Sequence, residues 1–203
     1  MTPLRVGVLA SGRGSNLQAI LDACARPDFP ARVVVVISDR ERAAALERAR
    51  GAGIEALFVN PKDFGDRDAY DARVTGLLQE RGVGLVCLAG FMRILSPVFV
   101  RAWGGRALNI HPSLLPAFAG LHPQRQALDH GARVSGATVH FVDEGVDTGP
   151  IVLQSAVPVQ PDDTEDTLAA RILTEEHRLY PEAVRLFALG RLRIAGRKVI
   201  IER

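Results

Sequence analysis

The chain has 203 residues, of which 47% are hydrophobic and 24% are charged, and its formal net charge is +2. A chain of this length can bury roughly 70% of its unfolded surface, so one sizeable domain is expected. The near balance of 25 Lys and Arg against 23 Asp and Glu does not indicate a nucleic-acid-binding surface, and no run approaches the ~18 apolar residues of a membrane span.

Short apolar runs alternate with helical patterns through the first half of the chain. Runs that are apolar on both faces suit a parallel sheet, and strands are predicted at Arg5–Ala10, Val33–Ser38, Ile54–Val59 and Leu85–Ala89. Apolar residues recur at helical spacing in the segments between the strands. This order predicts the start of a doubly wound α/β fold.

The second half is less regular. A helical turn near Ser96–Ala102 precedes a strand that ends at Asn109-Ile110-His111, and a Pro- and Gly-rich loop follows at 112–120. A helix is predicted at Gln124–His130 and strands at Ala137–Val142 and Ile151–Val157. A long helix follows, capped by Thr164, and Pro181 is expected to kink or interrupt it after Tyr180. The last predicted element is a hairpin at 192–201. The pattern therefore predicts a Rossmann-like, mostly parallel sheet of about seven strands, with helices on both faces and antiparallel strands near the C-terminus.

A glycine-containing turn, ASGRGSN at residues 10–16, joins the first predicted strand to the first predicted helix. Glycines let the backbone turn tightly, so that free amide groups can point at an anion. A dinucleotide site is one alternative, since Asp39 ends the second strand, but Leu17 stands where that fingerprint requires its third glycine. A turn without a ligand is another. The pattern favours a phosphate monoester bound through Gly14, Ser15 and Asn16.

Asn109 and His111 lie two residues apart at the end of a predicted strand, so both project from the same face of that strand. Ligands of open α/β sheets usually bind beyond strand ends. An amide donor and an imidazole in that place can stabilise an oxyanion and exchange a proton. The alternative is that both side chains only hold the loop at 112–120 by hydrogen bonds.

An acidic loop, DEGVDTGP at residues 143–150, supplies a third candidate in Asp147. A carboxylate beside His111 would favour the protonated imidazole, whereas the alternative for Asp147 is an Asx-type turn. Other chemistries lack their residues, because the chain has no Gly-x-Ser-x-Gly elbow and its five histidines show no metal-ligand spacing. No metal cofactor is expected.

Two further features bear on function and location. Glu176 falls on the apolar stripe of the long helix, where it either pairs with a structural cation such as Arg171 or borders a pocket and binds ligand hydroxyls. Cys24 and Cys87 fall in apolar patterns typical of buried thiols. The N-terminus lacks the pattern of a signal peptide, so we expect a cytoplasmic protein.

Four segments are distinctive: LASGRGSNLQAI, LAGFMRILSP, NIHPSLLPAFAGLH and GATVHFVDEGVDTGPIVLQ. They resemble the phosphoribosylglycinamide formyltransferases, a folate-dependent family of purine biosynthesis, and the resemblance extends from Arg5 to about Tyr180. It implies transfer of the formyl group of 10-formyltetrahydrofolate to the amine of 5'-phosphoribosylglycinamide, by direct attack of the amine. Departures at Ala119, Pro123-Gln124 and Leu173 bear on substrate contacts and not on the reaction class.

The resemblance also implies roles for individual residues. Asn109, His111 and Asp147 would be the catalytic set, Gly14, Ser15 and Asn16 would hold the substrate phosphate, and Glu176 would contact the ribose. Arg67 would lie near the distal end of the folate, whose pterin would contact Met92, Arg93, Ile94, Leu95, Asp143, Glu144, Gly145, Val146 and Asp147. We expect one domain over 1–203, with a nucleotide-phosphate-binding half at 1–103 and a catalytic and folate-binding half at 104–203.

The expected partners are small-molecule substrates, without nucleic acid or membrane, and the expected state is a monomer or homodimer. Three other functions compete with the transferase. A formyltetrahydrofolate hydrolase carries an additional N-terminal regulatory domain, and a methionyl-tRNA formyltransferase needs a further C-terminal module. A non-catalytic folate- or nucleotide-binding module would not need Asn109, His111 and Asp147 together.

Overall fold

The computed structural model describes residues 2–202, which contain nine strands and six α-helices. The strands are β1 (Leu4–Leu9), β2 (Ala31–Ser38), β3 (Glu55–Phe58), β4 (Leu85–Leu88), β5 (Ala107–His111), β6 (Val134–Phe141), β7 (Ile151–Pro158), β8 (Leu192–Ala195) and β9 (Lys198–Ile201). The helices are α1 (Ser15–Cys24), α2 (Ala44–Gly51), α3 (Arg67–Glu80), α4 (Pro97–Trp103), α5 (Pro123–Asp129) and α6 (Glu165–Ala188). The chain divides into two compact units, of which the first ends at Leu108 and the second begins at Asn109.

The first unit contains four parallel strands in the order β3-β2-β1-β4. The central residues of β1 and β2 are buried on both faces and β4 is buried throughout its length, as the continuous apolar runs predict, whereas the central residues of the edge strand β3 are only half-buried. The chain moves outward from β1 to β2 and β3 and then returns to β4 on the other side. This reversal makes the carboxyl end of β1 a topological switch point, where ligands of such sheets bind.

The second unit carries the antiparallel strands. β6 pairs antiparallel with β7, β7 pairs parallel with β9 at Ile151 and Lys198, and β9 pairs antiparallel with β8. The predicted mixed, mostly parallel α/β fold is confirmed, but the predicted strand number of about seven was wrong, because residues 2–202 contain nine. The short hairpin strands β8 and β9 increase the strand number, because β9 pairs with β7 and the hairpin is therefore part of the sheet.

Helix α6 runs unbroken through Pro181 over 24 residues, so the predicted interruption after Tyr180 does not occur. Proline removes one backbone donor, but Leu179 and Ala183 on either side of it are both buried, and this packing holds the helix together. The predicted cap is present: Thr164 Oγ1 accepts a hydrogen bond from the Thr167 amide at 3.2 Å. Within residues 2–202, every helix is too short or too polar to traverse a bilayer.

Candidate active site

Asn109 and His111 project from one face of β5, as the strand period predicts, and both reach the same carboxylate. Asn109 Nδ2 donates to Asp147 Oδ1 at 3.2 Å, and His111 Nδ1 lies 3.2 Å from Asp147 Oδ2. His111 is 5% exposed, so its charge interactions are little screened by solvent. The three residues predicted from the sequence as a catalytic set therefore lie within contact distance of one another.

Asp147 is held by the loop between β6 and β7 in the left-handed region, with φ 55°, a conformation that Asp tolerates better than most residues. The Gly120 amide donates to Asp147 Oδ2 at 2.9 Å. Burial is the largest single influence and raises the pKa of Asp147, but His140, the Gly120 amide and His111 together outweigh it, so this pKa lies below its ordinary value. Asp147 is therefore a carboxylate at neutral pH.

The Asx-type turn that was the alternative for Asp147 is made by Asp143 instead. Asp143 Oδ1 accepts hydrogen bonds from the Gly145 amide at 3.1 Å and from Thr148 Oγ1 at 2.6 Å. This turn orders the loop, and the Asp147 carboxylate contacts the side chains of Asn109 and His111 on β5 instead. The tips of Glu144 and Val146 are exposed.

His140 on β6 is a member of the site that the sequence analysis did not assign. His140 Nδ1 donates to the Phe141 carbonyl at 2.8 Å, and His140 Nε2 lies 3.2 Å from Asn109 Nδ2. The same Nε2 lies 3.6 Å from Asp147 Oδ1. Its position immediately before the acidic loop was the available signal, because the end of β6 has to lie near the residues that this loop presents.

The ring of His111 has an acceptor on each side. His111 Nε2 lies 2.9 Å from the Phe118 carbonyl, and Nδ1 faces the Asp147 carboxylate. Only a ring with both nitrogens protonated satisfies both acceptors, so this arrangement suits an imidazolium cation. Phe118 itself has φ 55°, unusual for a bulky residue, so the loop that covers His111 holds a strained backbone conformation.

The predicted phosphate-binding residues lie at the carboxyl end of β1 in the first unit. Gly14 has φ 71°, a left-handed conformation that glycine adopts readily, and α1 begins at the next residue, Ser15. Among residues 2–202, no side chain makes a capping hydrogen bond at this start of α1. A helix start leaves amide groups without acceptors inside the helix, so the turn can present N–H groups to an anion.

The predicted folate residues of the first unit form an exposed apolar segment around one arginine. Met92 and Ile94 are 63% and 64% exposed. Between them, the Arg93 guanidinium lies over the Tyr70 ring at 4.6 Å, and Arg93 Nε is buried without a hydrogen-bond partner within residues 2–202. Large exposed apolar side chains beside a cation suit a flat aromatic ligand that carries a carboxylate.

Buried Asp71 on α3 fixes the end of this segment. Asp71 Oδ2 accepts from the Ser96 amide at 2.5 Å, which ties α3 to the start of α4. Burial raises the pKa of Asp71, although the Ser96 bonds and the positive charges of Arg93 and Arg67 oppose that shift. Arg67, the first residue of α3, therefore belongs to the same charged cluster as Arg93.

Glu176 is 6% exposed on the buried stripe of α6, as its spacing predicts. The suggested structural partner, Arg171, binds Asp163 through two hydrogen bonds of 2.6 and 2.8 Å. Arg171 is thus engaged at the start of α6, one turn or more from Glu176. Within the described part of the chain, no group of three His, Cys, Asp or Glu side chains is arranged to hold a metal ion.

Comparisons with known proteins show the family of the chain. A family model described as a formyl transferase matches residues 4–184. The chain is 48% identical over 191 residues to the phosphoribosylglycinamide formyltransferase of Escherichia coli (strain K12), covering 94% of this chain and 90% of that protein. The solved structure of glycinamide ribonucleotide transformylase 1 from Symbiobacterium toebii is 59% identical with a TM-score of 0.97, covering 99% of this chain and 95% of that one.

Longer relatives also match. The chain is 54% identical over 188 residues to the trifunctional purine biosynthetic protein adenosine-3 of Drosophila melanogaster, covering 92% of this chain. It spans only 14% of the length of that relative.

Proposed function

This chain belongs to the formyl transferase family, and we propose on that basis that it transfers the formyl group of 10-formyltetrahydrofolate to the amine of 5'-phosphoribosylglycinamide. The products are formylglycinamide ribonucleotide and tetrahydrofolate, in de novo purine biosynthesis. The observation that carries this proposal is the meeting of Asn109 and His111 on one carboxylate, Asp147. A module that only bound folate or nucleotide would not need these three side chains together.

The proposed reaction is a direct transfer. The amine nitrogen attacks the formyl carbon, whose oxygen becomes an oxyanion, and the bond between that carbon and the folate nitrogen then breaks. The amine loses one proton and the departing folate nitrogen gains one, so atoms and charge balance without a covalent bond to the protein. The residues therefore have two tasks, which are to stabilise the oxyanion and to carry a proton.

His111 and Asn109 are the proposed oxyanion donors. An imidazolium and an amide N–H both stabilise negative charge that develops on the formyl oxygen. His111 Nε2 now binds the Phe118 carbonyl, and both N–H groups of Asn109 Nδ2 face His140 or Asp147. Each donor must therefore exchange one of these acceptors for the substrate oxygen during the reaction.

Asp147 is the proposed positioning carboxylate. Its lowered pKa keeps it ionised, and it holds the His111 ring by Nδ1 at 3.2 Å. It also accepts from Asn109, which fixes the amide beside the imidazole. With a water molecule, Asp147 would relay the proton from the amine to the folate nitrogen.

The remaining residues receive binding roles in the proposal. Gly14, Ser15 and Asn16 hold the phosphate and Glu176 contacts the ribose. Arg67 lies near the distal end of the folate, and Met92, Arg93, Ile94, Leu95 and the loop at 143–146 contact its pterin. The exposed apolar side chains beside Arg93 support the folate assignment. The proposal includes one functional domain over 1–203, small-molecule partners only, no metal, a monomer or homodimer, and a cytoplasmic location.

The decisive experiment follows release of tetrahydrofolate from 10-formyltetrahydrofolate, with and without phosphoribosylglycinamide. Release that requires the amine, together with formylated ribonucleotide identified by mass spectrometry, supports the transferase. Equal release of tetrahydrofolate and formate without the amine would identify a hydrolase. Binding of folate without turnover under either condition would identify a non-catalytic module.

A further inference from the structure

Helix α2 packs directly against the glycine turn at residues 12–15. The Ala45 amide donates to the Gly12 carbonyl at 3.1 Å. A Cβ on Gly14 would lie 2.8 Å from Ala45 Cα and 2.9 Å from Ala45 Cβ, closer than real side chains approach. The turn and the start of α2 are therefore in direct contact, and this contact requires glycine at position 14.

One turn further along α2, the exposed side chain of Arg48 crosses to the same turn. Arg48 Nε donates to the Arg13 carbonyl at 2.8 Å, and one terminal nitrogen of its guanidinium donates to Gln18 Oε1 at 3.1 Å. Gln18 is held in turn by Asp22 at 2.8 Å. The planar fork of one arginine thus joins the turn to the first helical turn of α1.

The bond to the Arg13 carbonyl has a consequence for the next amide group. In a planar trans peptide, the N–H of Gly14 points away from the Arg13 carbonyl. Because Arg48 holds that carbonyl toward α2, the Gly14 N–H is directed to the opposite side of the turn, away from α2. An amide that serves as a phosphate donor has to be oriented before the ligand arrives.

We propose that Arg48 is a positioning residue for phosphate recognition, which orients the Gly14 amide by binding the Arg13 carbonyl. This inference rests on the proposed function, in which Gly14, Ser15 and Asn16 hold the substrate phosphate. Arg48 does not touch the phosphate in this role. A lysine at position 48 can keep a single bond, whereas a methionine keeps only the aliphatic stem.

The test compares Arg48→Met with Arg50→Met, a matched control on the same helix. Arg50 is half-exposed, pairs with Glu47 and loses the same charge on substitution. We expect Arg48→Met to raise the KM for phosphoribosylglycinamide roughly tenfold, as for the loss of one hydrogen bond near a charged ligand, with kcat within about twofold. Arg50→Met should leave both constants unchanged, and Arg48→Lys should fall between Arg48→Met and the wild type.

The same assay with the substrate that lacks its phosphate separates positioning from general destabilisation. We expect Arg48→Met and the wild type to use that substrate equally well. Equal losses of kcat/KM on both substrates, or equal effects of Arg48→Met and Arg50→Met, would overturn the inference.

Binding of ribose 5-phosphate, measured by calorimetry, tests the inference without any turnover. Weaker binding to Arg48→Met than to Arg50→Met supports the role of Arg48, even if the wild type transfers no formyl group and the proposed function fails. Unchanged affinity in Arg48→Met would overturn the inference while leaving the proposed function intact.

Discussion

The charge state of single residues decides what the site can do. His111 lies between two acceptors, the Phe118 carbonyl and the Asp147 carboxylate, and has to carry a proton on each nitrogen to satisfy both. His140 has different neighbours, because its Nδ1 donates to the Phe141 carbonyl and its Nε2 lies 3.2 Å from Asn109 Nδ2. Two histidines 29 positions apart thus have different tasks, and their neighbours assign those tasks.

Replacing His111 by alanine should remove the cationic donor without unfolding the protein. We expect turnover to fall by about two to four orders of magnitude, because the proposed cationic donor to the oxyanion is lost. Steady-state kinetics measure this fall, and circular dichroism checks the fold. His122→Asn is the control, since the His122 side chain is 77% exposed and Asn tolerates its left-handed backbone. Near-normal turnover of His111→Ala would exclude the histidine from the mechanism.

Asp147→Asn should have a pH-dependent effect on stability. The folded-state pKa of Asp147 lies below its unfolded value of about 3.9, so the carboxylate stabilises the fold above that pH. This stabilisation is lost as the pH falls through the folded-state pKa. We expect the variant to be less stable by about 1–3 kcal/mol at pH 7, because bonds to a charged group are lost.

Urea unfolding of both proteins over a pH series measures that difference. The difference should begin to shrink below about pH 4, where the carboxyl of the unfolded wild type becomes protonated, and should continue to shrink as the pH falls through the lower folded-state pKa. Asn also tolerates a positive φ, so the backbone contributes little. A difference that stayed constant from pH 7 to pH 3 would show that the charge of Asp147 is not its source.

Among the elements, α6 shows how local signals and packing combine. Thr164 caps the helix start, and the Thr164 amide donates in turn to Thr167 Oγ1 at 2.9 Å. Asp163 accepts two hydrogen bonds from Arg171, which lower the pKa of Asp163 well below its usual range. The helix start is therefore strongly defined, whereas its continuation through Pro181 depends on the buried face.

Thr164→Ala should destabilise the protein by about 1 kcal/mol, the usual effect of losing a side-chain cap. Thr174→Ala in the same helix is the control. Thr174 is exposed and its hydroxyl bonds back to the Ala170 carbonyl at 3.3 Å, so alanine should leave stability unchanged or slightly raise it. Urea midpoints at constant m-value measure both effects. Equal losses in the two variants would contradict the assigned cap.

For the molecule as a whole, the net charge of +2 leaves little long-range field for attracting an anionic substrate. In the proposed function, phosphate recognition therefore depends on the local N–H groups of the glycine turn. We expect kcat/KM to change less than about threefold between roughly 0.05 and 0.5 M sodium chloride. Inorganic phosphate at matched ionic strength should compete with phosphoribosylglycinamide and not with the folate. A steep fall in sodium chloride would instead indicate a charged surface that steers the substrate.

Much of the fold could be predicted because its signals are local. The predicted strand Arg5–Ala10 and β1 differ by one residue at each end, and Leu85–Ala89 differs from β4 by one residue. Two failures were the interruption of α6 at Pro181 and the number of strands. Both depend on packing between segments, since a helix face holds Pro181 in place and β9 joins β7 at Ile151 and Lys198.

The site, like the fold, has features that local sequence predicts and features that it does not. Strand alternation alone places Asn109 and His111 on one face, and the glycine turn follows from residue types that permit a left-handed backbone. Contacts between residues about 30 to 40 positions apart decide two other features of the site. These are the choice of Asp147 as the acid that contacts His111 and the presence of His140 beside Asn109. Periodicity reports only neighbours along the chain. The course of a loop, with Asp143 closing its turn and Asp147 in the left-handed region, is set when distant strands pack together.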